Sequence, residues 1–119
     1  MIDAAVIANG YIDPLTDLLY RQSPTKEADL DEWGDPAHNP HDREILERLS
    51  PLRRLTVPVA PTLVMVSARD PRQGLAWVLR SRELGGDVTL WYDPDGAHDM
   101  WGANLHPNTL IDWVSKVLE

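Results

Sequence analysis

The sequence contains no cysteine. A disulfide frame, a thiolate nucleophile and a sulfur-ligated metal are therefore excluded, and the chain suits a reducing compartment such as the cytoplasm. No apolar run approaches the ~18 residues that a membrane helix needs, and Met1-Ile2-Asp3-Ala4 carries none of the basic residues that open a signal peptide. A soluble, cytoplasmic protein is expected. Basic residues are also scarce, 11 Lys plus Arg against 19 Asp plus Glu, for a formal net charge of -8. That balance argues against nucleic-acid and anionic-membrane partners and admits a cationic ligand, although solubility alone would account for it.

What is present fits a single domain of 119 residues. The short apolar run Ala4 to Ala8, closed by Asn9-Gly10, predicts a buried strand. Such a strand needs neighbours on both sides, so a chain opening on one resembles the later part of something longer. Asp13-Pro14 marks a helix start, with Leu15, Leu18 and Leu19 forming its stripe through about Tyr20. Ser23 to Pro40 is polar, acidic and proline-marked, and is expected to be a long connection held to the body by Trp33. Asn39-Pro40 precedes a helix from about His41 to Leu49, with Ile45, Leu46 and Leu49 facing the core, and Ser50-Pro51 ends it.

The most regular stretch is Pro61 to Arg72, where the β-branched run Thr62 to Val66 ends in a turn presenting Asp70 and Arg72. This is the pattern of a buried parallel strand delivering polar groups at its carboxyl end. Gly74 to Leu84 predicts a helix carrying Leu75, Val78, Leu79 and Arg82, stopped by Gly85-Gly86. Val88 to Tyr92 predicts another strand, closed by Asp93-Pro94-Asp95-Gly96 and followed by His98. Asn108 to Leu118 predicts a terminal amphipathic helix with Leu110, Ile111, Val114, Val117 and Leu118 on one face. The fold class is therefore α/β, with about three parallel strands, flanking helices and a helical and loop insert at about residues 11 to 57.

Two successive parallel strands that end in turns bearing Asp70 and His98 place a carboxylate and an imidazole at one sheet edge. The carboxylate of such a pair fixes the tautomer of the histidine and stabilises its protonated form, and the order Ser, Asp, His is that of α/β hydrolases. A surface Asp and an unrelated loop His would give the same pattern. The serine expected on a Gly-x-Ser-x-Gly elbow is absent, because Ser23, Ser50, Ser67, Ser81 and Ser115 all lack flanking glycines. By chain order it belongs upstream.

Further stretches carry a family likeness. Glu32-Trp33-Gly34-Asp35-Pro36, then Asp42-Arg43-Glu44-Ile45-Leu46 and Ser50-Pro51-Leu52, resemble ordered segments of the prolyl oligopeptidase family of serine peptidases. Pro61-Thr62-Leu63-Val64 leading into Asp70-Pro71-Arg72 resembles that family's Asp strand, and its Asp-Pro-Arg form is similar to the oligopeptidase B branch. Gly96-Ala97-His98 resembles the family's His turn, with Ala97 and Asp99 standing where glycines are usual and Gln73 where valine is.

The resemblance implies the C-terminal portion of an α/β-hydrolase catalytic domain that hydrolyses peptide bonds, with Asp70 and His98 as triad acid and base. It implies that Arg72 binds a substrate carbonyl oxygen, for which its fixed charge and planar donors are suited. It also implies that Asp29, Asp31 and Glu32 supply carboxylates to a basic side chain of the peptide substrate. No cofactor is called for, and the chain by itself is expected to be inactive. Its expected partners are a peptide substrate and either the missing N-terminal catalytic segment or a second copy.

Other readings compete. His38 and His41, three apart around a proline, and the isolated His106 lack the spacing of a metal site. Five tryptophans, Trp33, Trp77, Trp91, Trp101 and Trp113, fit core and loop anchors, and only Trp101 lies near enough to His98 in sequence to join a site. A non-catalytic α/β module that binds or dimerises through the bare edge of its first strand is the alternative from another class.

Overall fold

The computed structural model describes residues 2–21, 24–96 and 107–119. They form two compact units, Met1–Gly10 with Leu55–Glu119, and Tyr11–Arg54. The first unit is a three-stranded parallel sheet in the order β1 (Ala5–Ala8), β2 (Thr62–Ser67), β3 (Val88–Asp93). All six residues of β2 are buried because it is the central strand and is covered on both faces. Leu63 and Met65 point to one face, packing with Ala8, Trp91, Leu110 and Trp113, the last two from α6 (Pro107–Leu118). Val64 and Val66 point to the other, with Val78 and the partly buried Leu75 and Trp77 of α5 (Arg72–Glu83). The continuous apolar run of β2 is thus the pattern of a strand that has two cores to fill.

Gly74 lets α5 approach β2. A Cβ at this position would stand 2.2 Å from Cγ1 of Val66 and 3.2 Å from that of Val64, both on stiff, buried side chains. In an exposed helix interior Gly→Ala is favourable by up to ~1 kcal/mol. At Gly74 the overlap reverses the sign, and Gly74→Ala is expected to destabilise the chain by about 1–3 kcal/mol in urea unfolding. A midpoint equal to or above that of the parent would show that α5 is not held this close.

The second unit is helical: α1 (Pro14–Tyr20), α2 (Lys26–Trp33), α3 (Pro40–Leu49) and the single turn α4 (Pro51–Arg54). Leu15, Leu18 and Leu46 form its buried centre, with Leu19 and Leu30 against it. The Asp13 carboxylate caps α1, accepting from Thr16 N at 3.3 Å, and Asn39 caps α3 through His41 N at 3.0 Å. Pro14 and Pro40 occupy first-turn positions, where their missing N–H costs nothing.

Several expectations are corrected. The Ser23 to Pro40 stretch holds α2 and is not simply a long connection; this helix buries no residue fully, so it leaves no apolar stripe to read. Ser50 ends α3, but Pro51 opens another helical turn. In α3 only Leu46 turns inward, while Ile45 and Leu49 are exposed. In α5 Gly74, Val78 and Ser81 are buried and Leu75 packs beside them, while Leu79 is 64 % exposed. On α6 Leu110 and Trp113 pack on the sheet, whereas Ile111 and Leu118 face outward. Each stripe is wider than the surface that its neighbours cover.

Asp13 also anchors the second unit. Its carboxylate accepts from Thr16 Oγ1 at 2.6 Å and from Arg53 Nε at 3.1 Å, and Arg53 Nη2 reaches Thr16 Oγ1 at 2.9 Å. Burial works against the charge, but the Thr16 hydrogen bonds and Arg53 outweigh it and hold the carboxyl below its ordinary value. A folded-state pKa below the unfolded one gives stability that is complete above the unfolded value of about 3.9 and is lost as pH falls through the folded one. Asp13→Asn should therefore be less stable than the parent at neutral pH, with the gap closing below about pH 4. A gap that stays constant with pH would count against this role.

Candidate active site

The parallel register sets Ser67 beside Asp93, so β2 and β3 end level with one another. Beyond these ends the chain enters two turns. In the first, the Asp70 amide donates to the Ser67 carbonyl at 3.2 Å, which folds the chain back toward the end of β2. Asp70 is half-buried, and Arg72 lies exposed as the first residue of α5. In the second, Asp93 Oδ1 accepts from Asp95 N at 3.0 Å, and the turn closes at Gly96. His98 and Trp101, with Ala97, Asp99 and His106, lie outside the described residues, as does Ser23.

The carboxylates assigned to a basic substrate side chain fall on α2 in the other unit. Asp29 is half-buried and accepts from Thr25 Oγ1 at 3.1 Å, while Asp31 and Glu32 are exposed. At 3.6 residues per turn Asp29 and Glu32 share a face, and Asp31 points about 200° away from Asp29. The helix therefore does not bring all three carboxylates to one point. The neighbouring Trp33 packs edge-to-face on Tyr11, with ring centroids 5.9 Å apart, and remains 42 % exposed. Burial, and then the charge of Asp17 3.2 Å from its hydroxyl, push the Tyr11 phenol above its ordinary pKa.

Beyond Trp33, the Gly34-Asp35-Pro36 turn is tied to α3 by the Asp35 amide, which donates to Asp42 Oδ2 at 2.9 Å. His38 Nδ1 lies 2.8 Å from Asp35 Oδ2, and this hydrogen bond holds the Asp35 carboxyl below its usual range. Among the described residues no group of three or more His, Cys, Asp or Glu is placed to hold a metal ion.

The described serines are not arranged as nucleophiles. Ser50, Ser67 and Ser81 are buried, with Ser50 Oγ donating to the Leu46 carbonyl at 2.7 Å, and Ser115 lies exposed on α6. None occupies a glycine-flanked turn from strand to helix.

Reasoning from sequence missed Asn9. It is buried, and it is the one described non-glycine residue with positive φ, at 41°. Its side chain bonds reciprocally to Ser67, accepting from Ser67 N at 3.1 Å and donating to Ser67 Oγ at 3.2 Å. The signal available was Asn-Gly itself, since asparagine adopts left-handed backbone more readily than most residues.

Among the described residues no helix is long and apolar enough to cross a membrane. No curated protein matches the sequence. Among solved structures it is similar to Pyrococcus horikoshii acylaminoacyl peptidase in an orthorhombic crystal form, with a TM-score of 0.65 and 27% identity over 82% of this chain. The chain spans 16% of the length of that protein. The sheet and its flanking helices are a portion of an α/β-hydrolase fold. The family model described as prolyl oligopeptidase matches residues 2–119, and on that match this chain belongs to the prolyl oligopeptidase family.

Proposed function

We propose that this chain is the C-terminal part of a serine peptidase catalytic domain and supplies the acid and base of its triad. The serine comes from polypeptide beyond these 119 residues. The observation that carries this reading is the level ending of β2 and β3, from which the segments containing Asp70 and His98 continue. The reaction is acyl transfer to water. Serine attacks the peptide carbonyl as His98 takes its proton, the same proton passes to the departing amine, and water repeats the sequence on the acyl enzyme. Asp70 orients His98, and Arg72 holds a substrate carbonyl oxygen. The Asp-Pro-Arg form and the acidic α2 support an oligopeptidase B-like preference for basic side chains, served by Asp29 and Glu32 from one helix face with Asp31 aside.

The isolated chain is expected to show no hydrolysis of an arginyl ester, because the nucleophile is missing. Turnover that His98→Ala abolishes would overturn this. The coding sequence upstream of Met1 is expected to encode a Gly-x-Ser-x-Gly elbow. An upstream sequence lacking one would favour a binding or dimerisation module that uses the outer edge of β1, where Val6 is 42 % exposed.

A further inference from the structure

The carboxyl edge of the sheet holds a polar contact that the peptidase reading does not use. β1 ends at Ala8, paired with Met65, and the Asn9 amide adds one more rung by donating to the Met65 carbonyl at 2.9 Å. There the left-handed backbone of Asn9 turns the chain out of the sheet. β2 continues two residues further, so the Ser67 N–H would have no carbonyl from β1 to meet. Asn9 Oδ1 takes the place of that carbonyl at 3.1 Å, and Asn9 Nδ2 donates to Ser67 Oγ at 3.2 Å. A primary amide is suited to both tasks because it offers an acceptor and a donor on one planar group, whereas a carboxylate offers acceptors alone.

The pair closes on the residue from which one turn departs and against which the turn after β3 lies. The Ser67 carbonyl accepts from the Asp70 amide at 3.2 Å, and the next amide, Ala68, donates to the Asp93 carbonyl at 2.9 Å. Gly96 lies against the same residue, so close that a Cβ on it would stand 3.0 Å from Ser67 Cβ. Ser67 is fully buried, so an unmet donor there would be costly.

We infer that Asn9 is a positioning residue: by clamping Ser67 it fixes the turn that carries Asp70. The inference rests on the reading of Asp70 as the partner of His98, and the experiment separates the two. In the 119-residue chain, Asn9→Gly removes the amide while tolerating positive φ, and Ser67→Ala removes the hydroxyl with little change of volume. Asp70→Asn serves as the reference. NMR reads amide exchange at Asp70, with Val64 and Val66 as folding controls, and the titration midpoint of the His98 ring.

Asn9→Gly should keep Val64 and Val66 protected, speed Asp70 exchange at least about tenfold, and move the His98 midpoint toward that of Asp70→Asn. Ser67→Ala should do the same to a smaller degree, and it decides the matter if Asn9→Gly does not fold. Folded variants with parent-like Asp70 exchange and His98 midpoint would overturn the inference. If Asp70→Asn itself leaves the His98 midpoint in place, the Asp70–His98 reading fails, and the clamp stands or falls on Asp70 exchange alone.

Discussion

Leu63→Ala is expected to lower the unfolding free energy by about 2–5 kcal/mol, a large part of the ~5–15 kcal/mol that holds a typical domain folded. Leu63 is 1 % exposed on the central strand and packs with Met65, Ala8, Trp91, Leu110 and Trp113. Truncation removes apolar contact and leaves a cavity that a strand bonded on both sides cannot close by moving. The same side chain lies under α6, whose described attachments are Leu110, Trp113 and the Trp113 Nε1 hydrogen bond to Thr89 Oγ1 at 3.2 Å. Urea unfolding followed by tryptophan fluorescence would measure the loss. A loss under about 1 kcal/mol would mean that α6 settles into the gap and that this face is not tightly packed.

The second large effect concerns chemistry. If the proposed triad is complete in the longer domain, Asp70→Asn there is expected to lower kcat by a factor on the order of 10⁴ while leaving KM nearly unchanged. In the proposed triad an amide would present an N–H where the carboxylate presents only acceptors, which would favour the wrong tautomer of His98 and remove the countercharge of its protonated form. The turn should survive the change, because its hydrogen bond to the Ser67 carbonyl comes from the main-chain amide of residue 70. Single-turnover kinetics on an ester substrate would separate acylation from binding. A loss of less than tenfold would remove Asp70 from the triad.

Some of this architecture was legible because its causes are local. The Thr62 to Val66 run marked β2, and Asp13-Pro14 and Asn39-Pro40 marked the starts of α1 and α3, since a cap and a fixed φ act within one turn. α2 was not legible: of Lys26–Trp33 only Leu30 packs against the apolar centre, and a largely polar octapeptide without an apolar stripe reads as a loop. The outward-facing Ile45, Leu49, Ile111 and Leu118 depart from the expected faces for a related reason. Periodicity identifies a stripe, but how much of it is buried depends on how far the neighbouring element extends.

The sequence by itself determined the order of the three strands and of α1, α3, α5 and α6, the α/β class and which side chain types are fit for acid and base chemistry, because composition, spacing and capping are properties of short segments. Only the tertiary structure decided which residues fill the core on each face of β2 and that Asn9 grips Ser67 across 58 residues of chain. The reason is physical. That last bond exists because β1 stops two residues before β2 in a parallel register, and a register is a relation between segments that neither segment carries alone.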